Sequence, residues 1–181
     1  MKPAILVIDM LNDFVTGKLK CERAQPIIPN IKKLLEAARK EGIPIFYLND
    51  AHSPEDYELG HWGEHAMEGS EGAKVIPELS PQKGDFVLGK RVYSGFFETP
   101  LDSLLRAKKV DAVVITGLHT HMCCRHTAAD AFFRGYKVVV PDDCLDAFTE
   151  KDHLAGLEYF KAVYCARLTT AYQLCNEWAK K

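Results

Sequence analysis

The stretch DAVVITGLHTHMCCRHTAADAFFRG, residues 111–135, decides the fold. It begins with a short apolar run that is rich in β-branched residues and has no polar alternation, which is typical of a strand covered on both faces. The remainder has the composition of a helix that ends at Gly135. A buried strand followed at once by a helix is the repeating unit of a parallel sheet, because parallel strands need crossover connections.

The same alternation runs along the rest of the chain. AILVID, IPIFYLND, DFVLGK and YKVVVPDD read as further strands, and VYCARL reads as a short last one. The segments between them have helical spacing; in IIPNIKKLLEAARKEG, Gly42 stands where a helix would end. The pattern predicts one domain over residues 1–181, a three-layer α/β/α fold with a six-stranded parallel sheet that is Rossmann-like. The other predicted helices are LDSLLRAKK, EKDHLAGLEYFKA and TTAYQLCNEWAKK.

Composition limits the possible partners. The 181 residues carry a formal net charge of -2 with both signs interspersed, which argues against a nucleic acid or an acidic membrane and favours a small molecule. The apolar runs are far shorter than the roughly 20 residues of a spanning helix. Six cysteines without C-x-x-C spacing, in a chain with no secretory apolar region, predict a reducing cytoplasm.

Polar residues collect where the predicted strands end. The aspartate of VID, the NDAH stretch, the lysine of VLGK and the turn TGLHTHMC all follow strands. Parallel sheets bind ligands at the carboxyl ends of their strands, so we expect these side chains at one rim. Residues 50–84 are polar and rich in glycine and proline, and they predict a long active-site loop with one short helix.

The segment GLHTHMCC could hold a metal, a redox pair or a nucleophile. Thr120 stands at the expected N-cap, so Cys123 would be the third helical residue, where free amides and the helix dipole stabilise a thiolate. The spacing suits zinc poorly, since no second cluster completes a tetrahedron. Cys124, one position round the helix, is expected to pack in the core.

Three motifs make the chain resemble the isochorismatase-like cysteine hydrolases, which include nicotinamidases and N-carbamoylsarcosine amidases. VIDMLNDF is similar to the strand-one motif, and it places Asp9 and Phe14. GKRVYSGFFETPL is similar to the lysine motif and places Lys90, while TGLHTHMCCRHTAADAFFRGY resembles the nucleophile motif and places Cys123. The likeness covers nearly the whole length.

The resemblance implies a cysteine that attacks an amide. Asp9 would act as the base, and the cation of Lys90 would hold the thiolate of Cys123. It further implies a cis peptide at Leu118-His119 and an oxyanion hole made by the backbone amides of His119 and Cys123.

The resemblance also implies a divalent metal, because nicotinamidases carry a D-x-H and a later W-x-x-H. The carry-over gives Asp50, His52 and His65, a set that suits Zn, Fe or Mn. The further histidine of that motif is Glu58 here, so this ligand is missing or is replaced by Glu58, His61 or Asp56.

The expected substrate is a flat or small amide, in a pocket lined by Phe14, Trp62, Tyr93 and Phe96.

The leading interpretation is a nicotinamidase-like amidohydrolase that releases ammonia through a thioester intermediate. The alternative is an N-carbamoylsarcosine amidase-like or ureido-compound hydrolase. Outside enzymes, a flavodoxin-like binding protein shares the element order, although no glycine-rich phosphate loop is present. A metal- or thiol-binding protein is a further alternative. His126 and His153 are expected to be helix residues with partners of their own. A homo-oligomer is expected from the aromatic residues Phe132, Phe133 and Tyr136.

Overall fold

The centre of the fold is a parallel β-sheet. The structure is a computed structural model that describes residues 1–180. Its strands are β1 Pro3–Ile8, β2 Ile45–Asp50, β3 Phe86–Lys90, β4 Ala112–Leu118, β5 Lys137–Pro141, β6 Leu145–Asp146 and β7 Arg167–Thr169. All strand pairs are parallel, and the order across the sheet is β3-β2-β1-β4-β5-β7, with β6 beside the end of β4. The predicted α/β/α fold is confirmed, with seven strands instead of six.

Helices flank the sheet. The longer ones are α2 (Ile28–Lys40), which packs against α7 (Ala171–Trp178), and α5 (Arg125–Phe133), which packs against α6 (Glu150–Tyr164). Shorter α-helices are α1 (Asn12–Val15), α3 (Leu59–Trp62) and α4 (Leu101–Ala107). Short 3-10 segments span Glu22–Ile27, Pro77–Leu79 and Asp142–Cys144. Within residues 1–180, no helix is both long enough and apolar enough to cross a membrane.

Local sequence explains these helices. In α2 the apolar side chains at helical spacing are the buried ones, and Gly42 takes the positive φ of 65° that follows the helix end. Thr149 caps α6, and Thr170 with Gln173 forms a capping box at the start of α7.

Two boundaries differ from the sequence prediction. In VYCARL, Val163 and Tyr164 are the last residues of α6, and Cys165 ends that helix in the left-handed region with φ 51°. The strand β7 therefore begins only at Arg167. The added strand β6 has two residues, too few for any hydrophobic period, so the sequence could not reveal it.

The central strands are covered on both faces. Every residue of β1, β2 and β4 is buried, as expected of a parallel sheet between two helix layers. β1 and β4 lie so close at their ends that a Cβ at Gly117 would overlap the carbonyl oxygen of Ile8, and Gly117 also has φ 104°. Only glycine satisfies both demands. This packing brings the segment after β4 beside the end of β1.

Candidate active site

Three adjacent strands end in charged side chains that touch. Asp9 follows β1, Asp50 ends β2, and Lys90 ends β3. The ammonium of Lys90 lies 2.9 Å from Oδ2 of Asp9 and also contacts Oδ1 of Asp50. Oδ1 of Asp9 accepts a hydrogen bond of 2.8 Å from the backbone N–H of Asp50. The predicted meeting of these strand ends is therefore present.

Backbone conformation helps to aim Asp9. Its φ of 53° lies in the left-handed region, which aspartate enters more easily than most residues do. Residues with this backbone conformation cluster at functional sites. The side chain leaves the strand there and reaches Lys90, two strands away across β2.

The charges of this cluster perturb one another. Burial, together with the negative charge of Asp50, raises the pKa of Asp9 to about 6, although Lys90 acts against it. Burial by itself disfavours the ammonium of Lys90, but Asp50 and Asp9 outweigh it and raise the pKa of Lys90 well above its ordinary value. Burial likewise opposes ionisation of Asp50, yet the Lys90 charge lowers the pKa of Asp50. Lys90 is thus a permanent cation between two carboxyl groups.

The segment after β4 differs from the expected α-helical start. Residues Thr120–Cys124 form a single π-helical turn, and the cap position is held by His119, with φ -97° and ψ 143°. Thr120 is not the N-cap; its hydroxyl pairs with Nδ1 of His153 at 2.9 Å. The π turn arises where the N–H of Cys124 reaches the carbonyl of His119. Such turns are frequent at functional sites. The peptide bond Leu118-His119 is cis.

The π turn brings the thiol of Cys123 to the charged cluster. The Cys123 sulfur and carboxylate oxygens of Asp9 and Asp50 lie within 4.8 Å of one another. Burial raises the pKa of Cys123 well above its ordinary value, and Asp9 and Asp50 add to the effect while Lys90 opposes it. Burial therefore opposes the thiolate that the third helical position was expected to stabilise, and the carboxyl group of Asp9 lies close enough to take the thiol proton.

Cys124 lies elsewhere. Its side chain is fully buried, and its sulfur faces the carbonyl of Thr116 at 4.0 Å. Burial raises the pKa of Cys124 well above its ordinary value. It packs in the core, as predicted.

Asp50, His52 and His65 also come together, and all three are buried. Oδ2 of Asp50 lies 3.7 Å from Nε2 of His52 and 4.0 Å from Nε2 of His65. Nδ1 of His52 donates to Asp56 at 3.0 Å, and Nδ1 of His65 donates to the carbonyl of Gly63 at 2.8 Å. Both Nε2 atoms are thereby left as acceptors, and that of His52 is buried with no hydrogen-bond partner among residues 1–180.

This arrangement fits a divalent metal, since metal-binding histidines usually donate their second nitrogen to a carboxylate or a carbonyl. Of the alternatives for a further ligand, Asp56 is engaged with His52 and with Arg91, and His61 is exposed on α3. Glu58 is buried and lines the pocket, where burial and the charge of Asp50 raise its pKa to about 7.

A pocket opens above the cluster. It contains about 320 Å³ of empty space, part of it open to solvent. Trp62 and Tyr93 line it as predicted, joined by a hydrogen bond of 3.0 Å from the indole N–H to the phenol oxygen. Its lining residues are Asp9, Phe14, Leu19, Asp50, Glu58, Trp62, His65, Tyr93, His119, Met122, Cys123 and Phe148.

Two predicted positions are wrong. Phe96 does not line the pocket: its buried ring packs 6.1 Å from that of Tyr136, with the guanidinium of Arg134 5.0 Å away. Tyr136, expected to be exposed, is buried, and its hydroxyl donates to Asp102 at 2.8 Å. His126 and His153 have partners of their own, as expected.

Four residues at the site were not predicted: Asp13, Phe148 and the lining residues Leu19 and Met122. Asp13 accepts a 2.8 Å hydrogen bond from the N–H of Ala66, which fixes the loop next to His65; its only signal was its place inside VIDMLNDF. Phe148 covers the pocket, stacked on His119 with 4.0 Å between ring centroids and near Trp62 at 6.4 Å. No local pattern marks Phe148, because β6 and its pairing with β4 carry it there.

Comparison with known proteins gives one family. Residues 3–173 match the isochorismatase domain. The chain is 32% identical over 189 aligned positions to the ureidoacrylate amidohydrolase of Yersinia enterocolitica, covering 87% of this chain and 82% of that protein.

Solved structures agree with this match. The N-carbamoylsarcosine amidase of Thermoplasma acidophilum is 42% identical and superposes with a TM-score of 0.90, covering 94% of this chain and 97% of that one. A nicotinamidase of Bacillus subtilis is 30% identical, with a TM-score of 0.89 and coverage of 93% and 99%.

Proposed function

The chain belongs to the isochorismatase family, and on that premise we propose that it is a cysteine amidohydrolase that cleaves a small carboxamide, in the manner of a nicotinamidase, and releases ammonia. The main support for this proposal is that the Asp9 carboxyl group, the Lys90 ammonium and the Cys123 thiol lie together beside one pocket. The predicted class, a hydrolase of carbon–nitrogen bonds other than peptide bonds, is that of the amidohydrolase relatives.

The chemistry begins with a proton transfer. Asp9 takes the proton of the Cys123 thiol, and the sulfur attacks the amide carbonyl carbon. The buried cation of Lys90 offsets the negative charge that the thiolate adds to a site already holding Asp9 and Asp50. Without that cation, three acidic groups would share one buried region.

The second half returns the proton. The carbon–nitrogen bond breaks as Asp9 gives its proton to the leaving nitrogen, so that ammonia departs and a thioester remains on Cys123. Water then hydrolyses the thioester and regenerates the thiol, and the sum is amide plus water to acid plus ammonia. The backbone amides of His119 and Cys123 are proposed to bind the developing oxyanion.

Asp50, His52 and His65 are proposed to hold one divalent metal, Zn, Fe or Mn. The two Nε2 atoms lie 3.7 and 4.0 Å from Oδ2 of Asp50, and this arrangement supports the ligand set. When bound, such a metal would supply a Lewis acid beside the pocket. Asp56 and Gly63 would orient the two imidazoles.

A second candidate is an N-carbamoylsarcosine amidase-like or ureido-compound hydrolase. The 42% identity to the Thermoplasma acidophilum enzyme favours it, as does Glu58 at the position of a nicotinamidase histidine. Both candidates use the same three residues and differ in the group attached to the amide.

Ammonia release tests the proposal. Purified enzyme would be given nicotinamide, benzamide, N-carbamoylsarcosine and ureidoacrylate in turn, alongside the Cys123→Ala variant and the matched core variant Cys124→Ala. We expect at least one amide to yield ammonia with wild type and with Cys124→Ala, and none with Cys123→Ala. Ammonia release that survives in Cys123→Ala would exclude a cysteine mechanism.

We further propose a cytoplasmic homo-oligomer. The six cysteines, all within residues 1–180, form no disulfide, which suits a reducing compartment. Phe133 on α5 is three-quarters exposed, and Phe132 beside it is partly exposed, which supports self-association through this helix. Sedimentation of wild type against Phe133→Ser tests this, and an unchanged monomer in both would contradict it.

A further inference from the structure

Helix α6 packs directly against the π turn that carries Cys123. The contact is made at Gly156, a buried glycine in the interior of this 15-residue helix. A Cβ at Gly156 would lie 2.8 Å from Cγ2 of Thr120 and 3.2 Å from the backbone nitrogen of His121. Glycine destabilises a helix interior relative to alanine, so a glycine inside a helix usually has a packing reason. Here the reason is the close approach of α6 to the π turn.

The hydroxyl group of Thr120 is also held by α6. Its Oγ1 pairs with Nδ1 of His153 at 2.9 Å. His153 lies three positions before Gly156, so the two residues share one side of the helix. Burial lowers the pKa of His153 below its ordinary value, although the negative charge of Asp146 opposes this, and the ring is neutral at neutral pH. The helix therefore contacts both branches of the Thr120 side chain, the methyl group at Gly156 and the hydroxyl at His153.

The ring of His153 is bounded on a second side by a paired carboxylate. Its Nδ1 lies 3.9 Å from Oδ1 of Asp146. That oxygen accepts hydrogen bonds of 2.8 Å from Nε of Arg23 and from the backbone N–H of Ala147. The contact with Thr120 thus belongs to a network that joins α6 to the end of β6 and to the first 3-10 segment.

Thr120 connects these contacts to the reacting groups. It is fully buried, and its branched side chain has few rotamers, so holding both branches also holds its backbone. Thr120 begins the π turn, follows His119 directly and precedes Cys123 by three residues. Among the residues that the structure describes, none of α6 lines the pocket, so an effect of this helix on catalysis must pass through the π turn.

On the basis of the proposed amidohydrolase function, we propose that Gly156 and His153 are positioning residues for the nucleophile. By holding Thr120, they set the distance between the Cys123 sulfur and the carboxyl group of Asp9. A misplacement of about 1 Å can cost about a hundredfold in rate, even when its cause lies away from the chemistry. A methyl group added at Gly156 cannot be accommodated unless Thr120 or the helix moves.

Three variants and two controls test the role of α6. Gly156→Ala adds one methyl group at the contact, and His153→Phe keeps a ring but removes the hydrogen bond to Thr120. His153→Asn keeps a hydrogen-bonding side chain and is the conservative rescue. Ala155→Ser is the control for Gly156→Ala, because it adds one atom at an exposed position of the same helix. Tyr136→Phe is the control for His153→Phe, because it removes a 2.8 Å hydrogen bond away from the pocket.

For each protein we would measure kcat and KM with an amide that wild type hydrolyses, the alkylation rate of Cys123 against pH, and the midpoint of thermal unfolding. Gly156→Ala should lower kcat about tenfold or more and leave KM within about twofold, because the π turn moves while the pocket walls stay. The pKa of Cys123 should move by about half a pH unit or more, since the charges that set it act through distance.

The histidine variants should follow the same pattern more weakly. His153→Phe should lower kcat about fivefold, on the order of one neutral hydrogen bond, and His153→Asn should restore part of the loss. Ala155→Ser and Tyr136→Phe should keep the wild-type kcat and Cys123 pKa, even where their thermal midpoint falls as far. An unchanged kcat and Cys123 pKa in both Gly156→Ala and His153→Phe, or equal losses in the controls, would overturn the inference. If circular dichroism shows that Gly156→Ala does not fold, His153→Phe and its rescue decide.

Alkylation needs no substrate, so it separates the positioning role from the proposed function. If wild type releases ammonia and the variants of Gly156 and His153 match it in kcat and in Cys123 pKa, the positioning role is wrong and the proposed function stands. If no amide yields ammonia but the Cys123 pKa moves in His153→Phe and returns in His153→Asn, the proposed function is wrong and the contact with α6 stands. Absence of both ammonia and a moved pKa would reject both.

Discussion

The ammonium of Lys90 lies 2.9 Å from the carboxylate of Asp9, with both side chains almost fully buried. The two residues are 81 positions apart in the sequence; Asp9 follows β1 and Lys90 ends β3. The strand β2 lies between β1 and β3, and its last residue, Asp50, also contacts Lys90. Burying a cation between two carboxyl groups costs desolvation free energy, which is compensated only if the charges are paired in good geometry. Cys123 lies next to this cluster, where a thiolate would add a further negative charge.

Limited alkylation should modify Cys123 and spare Cys124. Cys123 adjoins the pocket, whereas Cys124 is fully buried against β4. Iodoacetamide near neutral pH, followed by peptide mapping, gives the order of modification, with exposed Cys165 as the reference for an ordinary surface thiol. An amide substrate should protect Cys123 and leave Cys165 unaffected. Modification of Cys124 ahead of Cys123 would refute the assignment.

Wild type purified without a histidine tag should contain about one divalent metal per chain, held by Asp50, His52 and His65. His52→Ala should lose most of it. His61→Ala should retain it, because His61 is an exposed histidine of the same loop. Elemental analysis of the three proteins decides. A metal-free wild type that is fully active and indifferent to added Zn, Fe or Mn would favour the ureido-compound branch.

The pH profile of kcat/KM should have an acid limb near the pKa of Asp9, about 6. Asp9 must be ionised to accept the thiol proton. Burial together with the negative charge of Asp50 keeps Asp9 protonated up to a pH of about 6. Activity should therefore be lost as the pH falls through 6, by about tenfold per unit further down. Steady-state rates from pH 4.5 to 8 measure this. A flat profile between pH 5 and 7 would argue against Asp9 as the base.

Gly117→Ala should destabilise the protein by about 3 kcal/mol or more, because it combines a strained φ with overlap on the Ile8 carbonyl. Gly84→Ala is the control: Gly84 has nearly the same φ, 103°, but open space around it. The control should cost only about 1 to 2 kcal/mol. Urea unfolding of both variants gives the comparison, and equal losses would mean that the contact between β1 and β4 is not tight.

Local sequence predicted where the charged residues lie in the sheet, but not all of the contacts between them. Asp9 and Lys90 could be placed at one rim because each follows an apolar run, and parallel strands end on the same side. The partnership of Asp50 with Lys90 was not foreseen, since it depends on the register of β2 with β3. The roles of the three catalytic candidates came from motif resemblance, not from spacing.

The remaining errors have physical causes. The π turn at Thr120–Cys124 depends on which carbonyl the N–H of Cys124 reaches, and composition does not encode that choice. Phe148 reaches the pocket through a two-residue strand, and Phe96 turns instead toward Tyr136. The raised pKa of Cys123 reflects its burial, which outweighs the nearby cation. All of these are tertiary effects.

The alkylation rate of Cys123 as a function of pH, in wild type, Lys90→Met and Asp9→Asn, tests most directly whether the three residues form one site. Removing the Lys90 cation should raise the thiol pKa and slow alkylation at neutral pH, whereas removing the Asp9 anion should lower the thiol pKa. Each unit of displacement corresponds to about 1.4 kcal/mol of interaction. Both variants should be inactive, and circular dichroism would establish that they fold. Opposite displacements of the Cys123 pKa are the predicted result, and equal thiol pKa values in all three folded proteins would contradict a shared Asp9, Lys90 and Cys123 site.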